Sequence, residues 1–453
     1  RPEEQGRVVL LRRTPDGELT DVAPGLNVRT RVHEYGGSAY TVTDGVIVFS
    51  EFDDNRLLLK GSPDAEIVEL VTDPALRFAD MALDLVRDRV HAVMEDQTES
   101  AIGARNLLVA VSLADGSITE LATGHDFYSD PVLSPDGTRL AYFTWDFPRI
   151  PWDGTDLWVA EIAADGTLLA PVHLAGGETE SLCQPKWSPH GSLVYASDRN
   201  DWWNLYRWRV GASGSAEIAP IDAEVGGPQW VFGLSDYGID ADDTIYAYAH
   251  GPDGARLLGL GQSTAPFEVE FAENGLSYVR VADGQLTAIA GSFTQPSALI
   301  RIDLERGVEE RLIETGSLPV DEAYLSTPQH KAFPTSGGRT AYGWYYPPTN
   351  PDVVAPEGTA PPLVVMLHGG PTSQARTSLS LQRQAFTSRG FAVMDVDYGG
   401  STGYGRAFRE QLHEQWGVVD VDDCAAAATW LAEQGLADSE RLAIRGGSAG
   451  GYT

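Results

Sequence analysis

A turn followed by a short β-branched and aromatic run recurs six times in the first two-thirds of this chain, and nothing else in the sequence constrains the fold as strongly. Asp44-Gly45 precedes Val46 to Ser50, Asp88-Arg89 precedes Val90 to Val93, and Ser134-Pro135-Asp136-Gly137 precedes Leu140 to Phe143. Ser188-Pro189-His190-Gly191 precedes Leu193 to Ala196, Asp242-Asp243 precedes Ile245 to Tyr248, and Asp283-Gly284 precedes Leu286 to Ile289. Counted from Asp44, Asp88, Asp136, His190, Asp242 and Asp283, the spacings are 44, 48, 54, 52 and 41 residues. A second run follows each first one: Asn55 to Leu59, Asn106 to Ala110, Asp156 to Ala160, Asn204 to Trp208, Ala255 to Leu260 and Ala298 to Ile302. Several strands per repeat at a period of about 40 to 50 residues is the pattern of β-propeller blades. A single blade cannot bury its own sheet, so the repeats must close into a ring. The expectation is a propeller of about seven blades, six of them visible, with a segment before Arg1 supplying the seventh. An array of unrelated β-sandwiches is the competing architecture.

The pattern changes between residues 316 and 350. Thr340 to Tyr346 alternates as a strand, and Pro347 to Pro351 and Ala355 to Pro362 read as loop. Leu363 to Leu367 is a continuous apolar run, as expected for a strand buried on both faces. Leu379 to Ser388 reads as helix, Phe391 to Val396 as a second buried strand, Val421 to Gln434 as an amphipathic helix and Arg441 to Arg445 as a third buried strand. Strands alternating with helices imply a parallel sheet. The division is a propeller over 1–318 and an α/β-hydrolase domain over 319–453, the latter broken off after its third parallel strand.

Chemistry concentrates in that last part. Arg445-Gly446-Gly447-Ser448-Ala449-Gly450-Gly451 sits between a strand and a helix start, the context in which G-x-S-x-G forms a nucleophile elbow. Its glycines should be needed because a Cβ beside the serine would strike the strand or the following helix. A serine is a poor nucleophile without a general base, and in this fold the Asp or Glu and the His follow the Ser in the chain. Only five residues follow Ser448, so the partners are expected beyond Thr453, with residues missing at both ends. His368-Gly369-Gly370-Pro371 follows the first buried strand, where the Gly370 N–H would pair with that of Ala449 as an oxyanion hole. Each such donor is worth roughly 3–4 kcal/mol of barrier. His368 belongs to that loop and should point into the scaffold. The Gly-rich stretch from Asp397 to Gly405, with Tyr404 as a substrate-binding candidate, would border the pocket. A dinucleotide fold would require glycine where Ser448 stands.

Composition excludes some partners. With 65 acidic against 32 basic residues the net charge is −33, which repels nucleic acid and anionic membranes and attracts cationic substrates or free amines. The nine histidines are scattered without metal-ligand spacing, and neither a metal nor another cofactor is expected. Cys183 and Cys424 fall in different domains and read as reduced, buried residues of a cytoplasmic protein. Trp202, Trp203, Tyr206 and Trp208, with the stretch from Trp145 to Asp153, either line an aromatic substrate pocket or pack between blades.

Taken together, the propeller, His368-Gly369-Gly370-Pro371, the loop Tyr398 to Gly405 and Gly446 to Tyr452 resemble the prolyl oligopeptidase family of serine peptidases. The resemblance is strongest to its acylaminoacyl peptidase and dipeptidyl aminopeptidase-like branch, and Arg29 to Gly37 resembles a motif at the start of that branch's propeller. It implies Ser448 as nucleophile, Gly370 and Ala449 as oxyanion donors, and a propeller that restricts access to short peptides or aminoacyl amides. Glu34, in His33-Glu34-Tyr35-Gly36-Gly37, would hold a substrate's α-amine if it faces the cavity, or else cap a turn or pair with Arg29 or Arg31. A homo-oligomer, and a separate C-terminal fragment carrying the Asp and His, are further partners to consider. Two other functions compete: a non-catalytic propeller binding module, and an esterase or amide hydrolase acting on small non-peptides.

Overall fold

A computed structural model describes residues 1–98 and 103–453. Six four-stranded antiparallel sheets follow one another over residues 40–71, 76–122, 127–176, 182–218, 237–269 and 275–314, each with its strands in chain order. These are propeller blades. The first strands of successive sheets lie against each other between blades one and two, two and three, three and four, and five and six. Ahead of them Leu11–Arg13 and Leu19–Asp21 form a two-stranded ladder, so the described residues hold six complete blades and one two-stranded ladder.

Local chemistry explains the strand pairs that the repeat marks. Asp44-Gly45 and Asp283-Gly284 take left-handed φ at both positions (49° and 83°, 50° and 70°), as the tight turn between right-twisted strands demands. The runs behind the turns are the second strands, Val46–Ser50 and its five counterparts; those of the first four blades are almost wholly buried, and those of the last two mix buried with half-buried or exposed residues. The following runs are the third strands. First and fourth strands escaped the sequence pattern for two different reasons. Fourth strands such as Ala216–Ile218 and Phe267–Val269 are short and solvent-facing. In four first strands the ladder slips at one residue with left-handed φ: Asp80 (53°), Asp130 (52°), Gln184 (56°) and Tyr278 (55°). Each is a β-bulge that re-aims a side chain.

These bulges stitch blade to blade. The Asp80 N–H donates to Ser38 O (3.0 Å), and the Asp130 N–H donates to Asp80 Oδ2 (2.5 Å). Gln184 Nε2 donates to Asp236 Oδ2 (2.6 Å), and the Asp236 N–H returns a bond to Gln184 Oε1 (2.7 Å). Burial and the neighbouring Asp130 hold the Asp80 carboxyl above the usual carboxylate range.

The α/β half has a five-stranded sheet in the order Gln329–Pro334, Thr340–Tyr346, Ala392–Asp397, Leu363–Leu367, Leu442–Gly446. The first two strands pair antiparallel and the last three are parallel. Val419–Glu433 packs on it through Cys424, Ala427 and Leu431, while Leu381–Thr387 starts on a cap in which Ser380 Oγ accepts from the Arg383 N–H. Within these 453 residues Leu442–Gly446 is the outermost strand, paired only with Leu363–Leu367, and it is exposed there, with Leu442 at 45% and Ile444 at 58%. Cys183 and Cys424 are both free and buried, one in each half. No helix among the described residues is long and apolar enough to cross a membrane.

A polar lock joins the halves. Asp198, in the turn after Ser192–Ser197, accepts from Arg406 Nη1 (2.7 Å) and Arg409 Nη2 (2.5 Å) of the short Arg406–Arg409 helix. Glu224 accepts from the Trp203 N–H (2.9 Å) on its own side and the Gly405 N–H (3.1 Å) across the interface. Arg409 lies over the Trp203 ring at 4.0 Å, which accounts for that tryptophan as packing.

Candidate active site

Ser448 is the N-cap of the helix Ala449–Tyr452, directly after Leu442–Gly446, with φ 53° and ψ −124°. Such a backbone is sparsely populated for a residue with a side chain and survives only where its surroundings hold it. The glycines show how. A Cβ on Gly446 would stand 1.9 Å from Gly450 O, and one on Gly450 would stand 2.7 Å from His368 O and 2.8 Å from the Leu367 Cβ. A Cβ on Gly447 would meet nothing within 4 Å, so the expectation holds for the outer glycines of the motif and not for its middle one. Ser448 is exposed, and its Oγ accepts or donates no hydrogen bond among the described residues.

It opens on a cavity of about 840 Å³ between the two halves. Gly369, Gly370 and Arg445 line it on the hydrolase side, and Tyr35, Trp230, Asp236 and Tyr278 line it on the propeller side. Gly369 lies against the serine, since a Cβ there would be 3.2 Å from the Ser448 Cβ. Gly370, at φ 131°, turns the chain where few side chains would fit, and the Trp230 Nε1 ties this loop to the propeller by donating to Thr372 O (2.7 Å). Gly370 lines the same cavity as Ser448, and Ala449 follows the serine as the first residue of the helix.

His368 is held in the scaffold, as expected. Its Nε2 meets Ser401 Oγ (2.8 Å), its Nδ1 lies 2.9 Å from Gly369 O, and Tyr398 stacks on the ring at 4.5 Å. Burial pulls its pKa down to about 4, so the ring is neutral at pH 7. Glu34 is exposed, forms no ion pair with Arg29 or Arg31 among the described residues, and is not among the residues that line this cavity, whereas its neighbour Tyr35 is. Both arginines instead lie over the Phe52 ring. His33 and Glu34 sit in left-handed conformations (53° and 68°). Tyr404 also lies outside the Ser448 cavity. Its hydroxyl donates to Asp397 Oδ2 (2.8 Å) and its ring stacks on Tyr342 at 4.2 Å, so its polar group is already engaged.

Two carboxylates face the serine's cavity, and the motif reading missed both. Asp395 is paired with Arg383 (2.8 Å), whereas Asp236 offers the propeller's carboxylate. A signal for Asp236 existed: it stands 52 residues after Gln184, Gln184 stands 54 after Asp130, and Asp130 stands 50 after Asp80, in step with the blades.

The comparisons agree with this architecture. A family model described as "Prolyl oligopeptidase family" matches residues 377–453. A solved puromycin-hydrolyzing peptidase of Mycobacterium tuberculosis is 38% identical, with a TM-score of 0.92 over 100% of this chain and 72% of its own. Dipeptidyl aminopeptidase BIII of Pseudoxanthomonas mexicana is 37% identical over 91 residues, which is 20% of this chain and 13% of that protein. The acylamino-acid-releasing enzyme of Rattus norvegicus is 39% identical over 105 residues, 23% of this chain and 14% of that protein. The matched stretches thus span less than a sixth of the length of these two relatives. With the elbow, the Gly369-Gly370 loop and the bladed half in one chain, and a solved relative 38% identical that matches all of this chain and 72% of its own, this protein belongs to the prolyl oligopeptidase family.

Proposed function

We propose that the chain carries the nucleophile half of a serine peptidase site, which acylates on Ser448 and acts on short peptides or aminoacyl amides. The observation that carries this reading is the exposed Ser448 held at φ 53° on a glycine-walled elbow, facing a cavity that the propeller roofs. In the acylation step Ser448 Oγ attacks the substrate carbonyl carbon while a base takes its proton. The carbonyl oxygen becomes an oxyanion bonded by the Gly370 and Ala449 N–H groups, and collapse expels the amine. Neither cavity-wall histidine is suited to be that base: His368 has both ring nitrogens engaged, and the partly buried His250 has its pKa lowered by burial.

Asp236, rather than Glu34, is the carboxylate placed to hold a substrate α-amine, and the roofed cavity favours small substrates. The puromycin-hydrolyzing relative supports an aminoacyl amide as the substrate class. The test compares aminoacyl 4-nitroanilides with simple 4-nitrophenyl esters for the protein and for Ser448→Ala, alongside intact mass under denaturing conditions. Anilide hydrolysis that Ser448→Ala abolishes is the expected result. Hydrolysis of esters alone would move the protein to the esterase reading, and anilide hydrolysis surviving Ser448→Ala would overturn the nucleophile assignment. Asp236→Asn should raise KM for free-amine substrates and spare N-blocked ones, with Glu34→Gln as the neutral control.

A further inference from the structure

Beside the Ser448 cavity the propeller holds a second chamber, of about 250 Å³, that the acyl-transfer reading leaves unused. The two share a wall of Tyr35, Trp230, Val231 and Leu234. Its other walls are aromatic. Phe127 and Trp145 stack at 5.3 Å and 10°, and the His33 ring stands edge-on to both, at 5.1 and 5.6 Å. On the other side Trp152 and Trp230 lie 4.4 Å apart, with Tyr35 edge-on to Trp230 at 5.6 Å. At the lip Phe147 is 80% exposed and Ile150 42%, apolar surface that nothing else in the chain covers.

The polar groups in these walls are unusual in lacking partners. Both amide atoms of Gln229 are buried without a hydrogen bond, as are Trp152 Nε1 and His33 Nε2. An unsatisfied buried donor or acceptor is costly, and rings alone would have lined the chamber without that cost. Of the ionisable groups that line the chamber, Arg149 is committed to Asp156 (3.3 Å) and Asp146 (4.0 Å), burial brings the His33 pKa down to about 4 and leaves the ring neutral, and the half-buried Asp130 puts a carboxylate on the wall, its pKa pushed up to about 6 by burial.

We propose that this chamber is a recognition subsite for an uncharged aromatic ring of the substrate, held away from the scissile bond, with Gln229 reading a hydrogen-bonding group on that ring. The ring stacks between the Phe127–Trp145 and Trp152–Trp230 walls, offset or edge-on, and Phe147 closes over it. Reaching it from Ser448 means passing the Tyr35–Trp230 pair, so the ring belongs to a residue other than the one acylated. The subsite rests on the reading of the neighbouring cavity as the peptidase site, but its test does not need catalysis.

Binding of N-acetyl-phenylalanine amide, N-acetyl-tyrosine amide and N-acetyl-leucine amide is measured by calorimetry on the Ser448→Ala protein. The aromatic amides should bind about 3- to 10-fold tighter than the leucine amide, the range that aromatic pairing adds. Phe147→Ala, at an exposed position, and Trp145→Leu should each remove most of that advantage. Phe267→Ala, on the outer strand of the fifth blade, should not. Gln229→Leu should erase any preference for tyrosine over phenylalanine amide. Equal affinity for aromatic and leucine amides overturns the proposal, as does an advantage that persists in both Phe147→Ala and Trp145→Leu. Loss of nucleophilic function would show instead as absent anilide hydrolysis with this binding intact.

Discussion

Ser448 keeps an unfavourable backbone because glycines at 446 and 450 let the strand, the helix and the His368 loop close around it, and the three glycines of the motif differ in kind. Gly446→Ala and Gly450→Ala each force a Cβ into backbone and should lower stability by about 1–3 kcal/mol or more. Gly447→Ala places its Cβ in open space and should stay within about 0.5 kcal/mol. Urea denaturation of the three variants decides it, and equal losses at all three would refute the packing account. Asp397 gives a second test. It is buried, accepts from the Ala375 N–H (2.6 Å) and the Tyr404 hydroxyl, and burial pushes its pKa up to about 7. The folded state therefore takes up a proton that an unfolded aspartate, near pKa 3.9, does not hold. That contribution is fully present below about pH 4 and is lost as pH rises through 7, a swing of roughly 4 kcal/mol. Asp397→Asn keeps an acceptor for Ala375, and the Tyr404 hydroxyl can turn to accept. Its melting temperature should fall less between pH 4 and 8 than that of the parent, and parallel curves would count against the assignment.

Among the elements, the four-residue helix Arg406–Arg409 carries more of the interface than its length suggests. Asp198 is 1% exposed and holds two of its arginines, and Arg409 is itself only 4% exposed. Breaking a buried pair leaves an uncompensated charge, so Asp198→Ala should cost about 3–5 kcal/mol in urea unfolding. A loss below about 1 kcal/mol would mean that water reaches the arginines and the lock is superficial. The bulged first strands deserve the same reading. Their polar residues interrupt the alternation that betrays a strand, which is why the repeat was legible in the second and third strands and illegible in the first. The bulge residues nevertheless keep the blade period, and Asp236, just ahead of the fifth blade's first strand, falls in step with it.

For the molecule as a whole the surplus of negative charge is the dominant long-range term. Self-repulsion from a net charge of −33 opposes the compact state, and screening relieves it within about 10 Å at 0.1 M salt. The melting temperature should rise as sodium chloride increases from about 0.02 to 0.5 M. A flat or falling curve would show that local pairs such as Asp198 with Arg406 and Arg409 outweigh the global repulsion.

Much was written in the residues alone. Turn chemistry and apolar runs depend on neighbours a few positions away, so the blade repeat, the parallel strands and the serine elbow could all be read before any coordinates. Gly370 and Ala449 could be named as oxyanion candidates for the same reason, each lying three residues past a strand end. Whether Leu442–Gly446 is buried depends on what lies beside it across the sheet, and its apolar composition said nothing of that. The meeting of Asp236 with the Ser448 cavity, and of the aromatic chamber with that cavity's propeller wall, are contacts between residues tens to hundreds of positions apart. Local sequence carries no record of such distances; closing the ring of blades over the α/β sheet creates them.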